Sequence, residues 1–328
     1  MATQLSTTRP SQARIDRPGG PPPAEDEGER ASIVDTSYAR RARYFDSSNA
    51  FNIKYPAVPC HQFLEERDRA LDPATGTALI PLDLSEALDI DFPVTTPLIL
   101  TRYVRIRAGD TLTTRFVASG ELYYVIAGSG RSAKGGDSIA WGAGDVFCLP
   151  GGEETRHVAG DGDCVLWSIT NEPELAFEHL EPPRPENAVT EAVHYPAAEI
   201  DHQLARVQDK LAGQKIAGLA LILSHARQAR RRNVLPTLTL AMNQLPPRDS
   251  QRPHRHNSAA ITLNIRCQGC HSMVGGRRVD WQPYAVMVTP PGEVHSHHNE
   301  GDETMTCLIV QDGGLYYHCR TMGFEYAD

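Results

Sequence analysis

Basic charge is in short supply. The chain has 32 Lys and Arg against 41 Asp and Glu, a formal net charge of −9 at pH 7, and that balance argues against a broad nucleic-acid surface. No apolar run is long enough to cross a bilayer, and the first residues lack the basic start and apolar block of a secretory signal. The seven cysteines are an odd number without the spacing of a disulfide framework. These features together lead us to expect a cytoplasmic protein. Cys267 and Cys270 form a single Cys-X-X-Cys with no second pair, and we read them as strand and turn residues rather than a redox or zinc site. Helix-length periodic stretches are few as well.

What is present is a chain of short β-rich runs separated by Gly and Pro. Its 328 residues and 40% hydrophobic content suit one large or two ordinary domains with real cores. Residues 1–30, with Pro18-Gly19-Gly20-Pro21-Pro22-Pro23 and several acids, cannot bury enough to order themselves and are expected to be disordered. An N-terminal arm, 31–59, carries a basic cluster around Ala39 to Phe45 that reads as a short helix. From 60 to 185, runs such as Tyr103-Val104-Arg105-Ile106, Leu122-Tyr123-Tyr124-Val125-Ile126 and Val146-Phe147-Cys148-Leu149 predict strands. Gly128-Ser129-Gly130, Gly135-Gly136 and Gly142-Ala143-Gly144-Asp145 mark their turns. Residues 186–215 predict a linker with one helix, in which Ile200, Leu204, Val207 and Leu211 recur at helical spacing. From 216 to 328 the same order of elements returns, so the chain reads as all-β with a duplicated domain.

Chemistry concentrates in two stretches of the second half. In Pro253-His254-Arg255-His256-Asn257 the two histidines are two residues apart, so on a strand both leave the same face. About forty residues later, Pro290-Pro291-Gly292-Glu293-Val294-His295 places a third histidine just after a turn, at the start of another strand. An antiparallel neighbour brings it beside the first pair. Three imidazoles meeting at one point form a metal site, suited to iron, copper, nickel or zinc.

On these residues the sequence resembles the cupin family, whose first motif carries His-X-His and whose second carries Pro-X-Gly-X-X-His-X-X-X-Asn. Here those positions are His254, His256, Pro290, Gly292, His295 and Asn299. The resemblance implies a bicupin of two double-stranded β-helix (jelly-roll) barrels. The first barrel then looks emptied of ligands: Thr114 and Phe116 stand where His-X-His is expected, Glu121 survives as the acidic member, and His157 follows Pro150-Gly151-Gly152 at a stretched spacing. Residues 235 to 312 further resemble the metal-bearing cupin of the gentisate and salicylate dioxygenase group. That likeness rests on Pro253-His254-Arg255-His256-Asn257-Ser258-Ala259, on Thr289-Pro290-Pro291, and on His295-Ser296-His297 with Asn299-Glu300-Gly301-Asp302-Glu303. It implies Fe(II), dioxygen and a hydroxylated aromatic acid. In that group the metal-bearing copy is typically the first cupin, whereas here it is the second.

Many cupins place a glutamate ligand near Ala260. Without it a divalent ion keeps its full charge and open positions, which draws an anion and above all a chelating hydroxy-carboxylate. His297 shares the parity of His295 and is a candidate for substrate-facing acid/base chemistry, a fourth ligand or a positioning partner. Arg252 is the candidate grip for a substrate carboxylate. His298 faces away, Asn299 is expected to fix its loop, and Trp281, Tyr284, Tyr316 and Tyr317 are assigned to core packing. The leading expectation is a homo-oligomeric (dimer or tetramer) Fe(II) dioxygenase of aromatic compound catabolism. The alternatives are a Zn, Ni or Mn lyase, isomerase or decarboxylase and a cupin that binds a small acid without catalysis.

Overall fold

Strands Leu100–Ile106, Gly120–Ala127 and Cys164–Thr170 lie side by side and are buried along nearly their whole length. Their alternating side chains explain why. Val104, Ile106, Tyr123, Val125 and Leu166 fill one cluster, while Tyr103, Leu122, Tyr124, Trp167 and Ile169 fill another. Both faces of the sheet are therefore covered, and apolar residues occupy both parities of each strand, with Arg102, Arg105 and Glu121 buried among them. The computed structural model describes residues 2–3, 36–48, 53–211 and 218–327. The disorder expected over 1–30 falls outside the described residues, save for Ala2–Thr3, which pairs with Thr111 and Leu112.

Among the described residues, four sheets build two barrels. In the first, strands Val193–Tyr195, Val146–Pro150, Gly120–Ala127, Cys164–Thr170, Leu100–Ile106 and Ala78–Pro81 form one wall. The facing wall is Thr111–Thr114, Thr155–Ala159, Ser129–Lys134 and Asp137–Gly142. The second barrel repeats this. One wall runs Leu219–Leu223, Thr239–Leu245, Met305–Gln311, Ala260–Arg266, Val286–Thr289 and His61–Phe63; the other runs Arg277–Asp280, Cys270–Val274, His295–Asn299, His254–His256 and Phe324–Tyr326. His61–Phe63 lies within the span expected for the first barrel yet pairs with Val286–Thr289 of the second. Val193–Tyr195, within the expected linker, belongs to the first.

The two six-stranded walls share a core. Leu240, Met242, Ile261, Leu263, Val286 and Leu308 join Tyr103, Leu122, Tyr124 and Trp167 in one buried cluster. Each such side chain fully removed from water contributes about 1.5–3 kcal/mol. The Tyr103 hydroxyl crosses the junction and donates to the Tyr284 carbonyl at 2.6 Å. Tyr284 itself adopts φ 58°, a strained value for a bulky residue. Gly275 and Gly276, at φ 55° and 77°, close the two-residue hairpin between Val274 and Arg277, where both turn positions need the left-handed region.

Short helices cap the barrels: Leu64–Leu71, Glu172–Phe177 and Gly313–Cys319. The linker helix runs Ala197–Leu211, and the remainder of its expected span, 212–215, lies outside the described residues. Residues Arg9–Pro56 form a separate unit. Within it Ala39–Arg41 is a 3-10 turn, shorter than the helix expected through Phe45, with the Arg41 guanidinium 5.6 Å from the Tyr38 ring.

Candidate metal centre

His254 and His256 leave one face of a three-residue strand held between two neighbours. On one side His254 pairs directly with His295; on the other, His254 and His256 pair with Tyr326 and Phe324. Arg255 points outward and pairs with Glu325. The Pro-Pro-Gly turn completes the approach, since Gly292 (φ 78°) donates its N–H to the His256 carbonyl at 2.7 Å. Asn299 then clamps the far end of the His295 strand. Its Nδ2 reaches the carbonyls of Leu245, Pro246 and Glu303 at 2.8–3.0 Å, and its Oδ1 accepts from Gly301 N.

One nitrogen from each of His254, His256 and His295 falls within 4.8 Å of the others, and all three residues are buried. Each imidazole is oriented the same way. His254 Nδ1 donates to the Arg252 carbonyl at 2.9 Å, His256 Nδ1 to the Ser258 carbonyl at 2.8 Å, and His295 Nδ1 to the Glu293 carbonyl at 2.9 Å. A carbonyl only accepts, so a proton sits on each Nδ1, and the nitrogen left for a metal is Nε2. Burial lowers the pKa of His256 and takes that of His295 down to about 3, so both rings are neutral near pH 7. Three oriented nitrogen donors suit a first-row divalent metal.

His297 stands outside that 4.8 Å group. Its Nδ1 meets Ser272 Oγ at 2.8 Å, and Trp281 Nε1 donates to the same oxygen at 2.7 Å. Among the described residues His297 Nδ1 is the one acceptor that meets Ser272 Oγ, so the serine proton goes to it. His297 therefore carries its own proton on Nε2, the opposite tautomer to the trio. Burial takes its pKa down to about 3.

The inward rung across the other wall is Thr239, Gln311, Ala260 and Thr289. Gln311 Nε2 lies 3.4 Å from His256 Nε2, and Thr289 Oγ1 is buried with no hydrogen-bond partner among the described residues. Arg252 is exposed at the rim, its guanidinium 4.4 Å from the Tyr326 ring. Sequence reasoning missed Ser272, Gln311, Phe324 and Tyr326. Tyr317, assigned to core packing, is 61% exposed on its short helix, because its helix face has no wall to cover it.

The first barrel shows the same frame with other contents. Trp141 Nε1 donates to Ser132 Oγ at 2.8 Å, and Ser132 meets His157 Nδ1 at 2.7 Å. Thr155 pairs with Thr114 as His295 pairs with His254. His157 is thus the counterpart of His297, and Thr155 stands where His295 is in the second barrel. That corrects the stretched alignment drawn from sequence, which the register of one strand moves by two residues. Glu121, the counterpart of Ala260, is fully buried; Lys134 donates to it at 2.5 Å, Tyr123 at 2.8 Å and Thr155 at 2.9 Å. An ammonium thus sits beside the carboxylate inside this barrel.

The second barrel thus carries a cluster of three histidines that could hold a metal ion. The family model described as Cupin domain matches residues 242–311, which span the trio. Among curated proteins the chain is 30% identical over 121 residues to a 5-aminosalicylate 1,2-dioxygenase from Comamonas sp, covering 37% of this chain and 32% of that enzyme. It is 29% identical over 79 residues to a gentisate 1,2-dioxygenase from Ralstonia sp, covering 24% of this chain and 22% of that enzyme. These alignments span about a third or less of those relatives. Among solved structures, the salicylate 1,2-dioxygenase from Pseudaminobacter salicylatoxidans superposes with a TM-score of 0.69 at 13% identity, over 86% of this chain and 92% of that one. What the two share is the fold, two antiparallel β barrels in one chain.

Proposed function

We propose that the chain is a non-haem Fe(II) dioxygenase acting on a small hydroxylated aromatic carboxylate, by ring cleavage of the gentisate-dioxygenase kind or a related oxidation. The observation that carries this reading is the trio itself. Three Nε2 lone pairs converge without a carboxylate among them, since Ala260 replaces the glutamate that the first barrel keeps. The dioxygenases among the relatives support it.

In this reading His254, His256 and His295 hold the metal. Bound there, Fe(II) supplies redox access to dioxygen and a charge uncompensated by its ligands. A trio with no carboxylate in it leaves that charge to attract a carboxylate and a neighbouring hydroxyl. Arg252 meets the carboxylate at the rim, with a fork of donors matched to two oxygens. His297, neutral and protonated on Nε2, donates a hydrogen bond to developing oxygen charge or returns a proton. The Nδ1 anchors keep the trio from rotating as the guest arrives. The first barrel, with strands from 78–195, braces the core it shares with the second, whose strands come from 219–326 and from His61–Phe63. We place the enzyme in the cytoplasm as a dimer or tetramer; among the described residues no helix is long and apolar enough to cross a membrane.

The test is oxygen uptake by protein reconstituted anaerobically with Fe(II), across a panel of hydroxybenzoates. Uptake with at least one acid, matched mole for mole by its loss, is the expected result. Turnover that persists without dioxygen would sink the proposal.

A further inference from the structure

The C-terminal strand Phe324–Tyr326 lies at the edge of the sheet that carries His254 and His256. Antiparallel partners directly opposite each other project to the same face. Tyr326 opposite His254 and Phe324 opposite His256 therefore turn their rings toward the side on which the trio assembles. Ring positions agree: the Phe324 centroid is 5.3 Å from that of His254, and the Tyr326 centroid 6.5 Å from it. The two aromatics stand edge to face, 5.2 Å apart. Yet Phe324 is 50% exposed and Tyr326 42%, an arrangement that leaves aromatic surface in water beside a buried polar centre.

Arg252 adds the second half of the pattern. Its guanidinium lies over the Tyr326 ring, so the same strand that offers apolar faces also holds a cation at the mouth. Aromatic surface and a cation side by side fit a ring bearing an anionic group. They do not fit a small aliphatic acid, which would cover neither ring.

Resting on the function proposed above, we propose that the C-terminal strand is the substrate-selecting wall of the metal barrel, with Phe324 and Tyr326 packing against the ring of an aryl carboxylate whose carboxylate faces Arg252. The strand would then set the choice between aromatic and aliphatic hydroxy acids, while metal loading stays with the trio.

The experiment measures anaerobic binding of 2-hydroxybenzoate and of glycolate to the Fe(II)-loaded full chain by calorimetry, for wild type, Phe324→Ala and Tyr326→Leu. We expect each variant to keep wild-type metal content and wild-type glycolate affinity while losing about tenfold in affinity for 2-hydroxybenzoate. Unchanged 2-hydroxybenzoate affinity in both variants overturns the inference and leaves the dioxygenase reading standing. Loss of metal in either variant also overturns it, since the strand would then be a brace for His254. A change in oligomeric mass without a change in affinity overturns it in favour of an edge that pairs with a second copy. Failure of the loaded wild type to bind any aromatic acid overturns both readings.

Discussion

Ser272 joins His297 Nδ1 at 2.8 Å while accepting the Trp281 indole, and this places the His297 proton on the nitrogen remote from the serine. The three clustered histidines do the reverse, each spending its Nδ1 proton on a backbone carbonyl. The barrel thus holds two kinds of imidazole: three anchored through Nδ1 to a backbone carbonyl and one anchored through Nδ1 to a serine hydroxyl. His297→Asn is therefore expected to keep the iron content of the reconstituted protein and lower kcat by about 100-fold or more, the usual weight of a positioned acid or base. Ser272→Ala should show the same split more mildly. Metal analysis beside steady-state kinetics checks both. If His297→Asn emptied the protein of iron, His297 would be a ligand and the tautomer argument would fail.

Of the three clustered histidines His256 has the most polar surroundings, touching Ser258 through Nδ1 and lying 3.4 Å from the Gln311 amide through Nε2. His256→Ala removes one of three donors and is expected to abolish stoichiometric Fe(II) loading. Thr114→Ala, in the first barrel, should leave loading unchanged. Iron content measured after anaerobic reconstitution and gel filtration decides. Retention of full iron by His256→Ala would refute the ligand set.

The trio is legible in the sequence because two local rules converge on it: the two-residue period of a strand aligns His254 with His256, and Pro290-Pro291-Gly292 can only turn the chain before His295. The doubly buried strands are legible for a similar reason, as β-rich, largely apolar stretches between glycine turns. Pairings made far along the chain are not. Arg255 and Glu325 are 70 residues apart, so nothing local announces that Phe324 and Tyr326 flank the histidines. His61–Phe63 joins the barrel formed by the other end of the chain. The Trp–Ser–His relay in each barrel needs three strands in register at once, and that is why spacing alone matches His157 to the wrong partner. Lys134 reads as a polar residue before a Gly-Gly turn, although it ends inside the barrel.

Lys134 and Glu121 form a buried ion pair at 2.5 Å, with exposures of 3% and 0%. Burial raises the Glu121 pKa against the pull of Lys134, a measure of how much the carboxylate depends on its partners. Lys134→Met strands that carboxylate and is expected to cost about 3–5 kcal/mol of folding stability. The double variant Lys134→Met with Glu121→Leu should recover part of the loss, because it leaves no charge behind, though Tyr123 and Thr155 lose an acceptor. Urea denaturation of the wild type, both single variants and the double variant measures the coupling. Additive losses would mean the ammonium and carboxylate act independently.

His157 gives the first barrel a defined acid sensitivity. Burial, and then the Lys134 charge, take its pKa from 6.5 down to about 3 in the folded chain. Between those values the unfolded chain binds a proton that the folded chain refuses, so stability rises with pH across that window and is lost as pH falls through it. The slope from one such group approaches about 1.4 kcal/mol per pH unit. In metal-free protein His295 and His297, also near 3, add slopes of the same sign, so the comparison must be with a variant at this position alone. His157→Gln keeps a polar side chain facing Ser132 but cannot titrate. Its unfolding free energy, measured in urea at pH 4.5, 5.5 and 6.5, should fall less steeply toward acid than that of the wild type, by close to one proton's worth. Parallel slopes would mean that His157 takes up its proton while folded, and the neutral Trp141–Ser132–His157 relay would have to be redrawn.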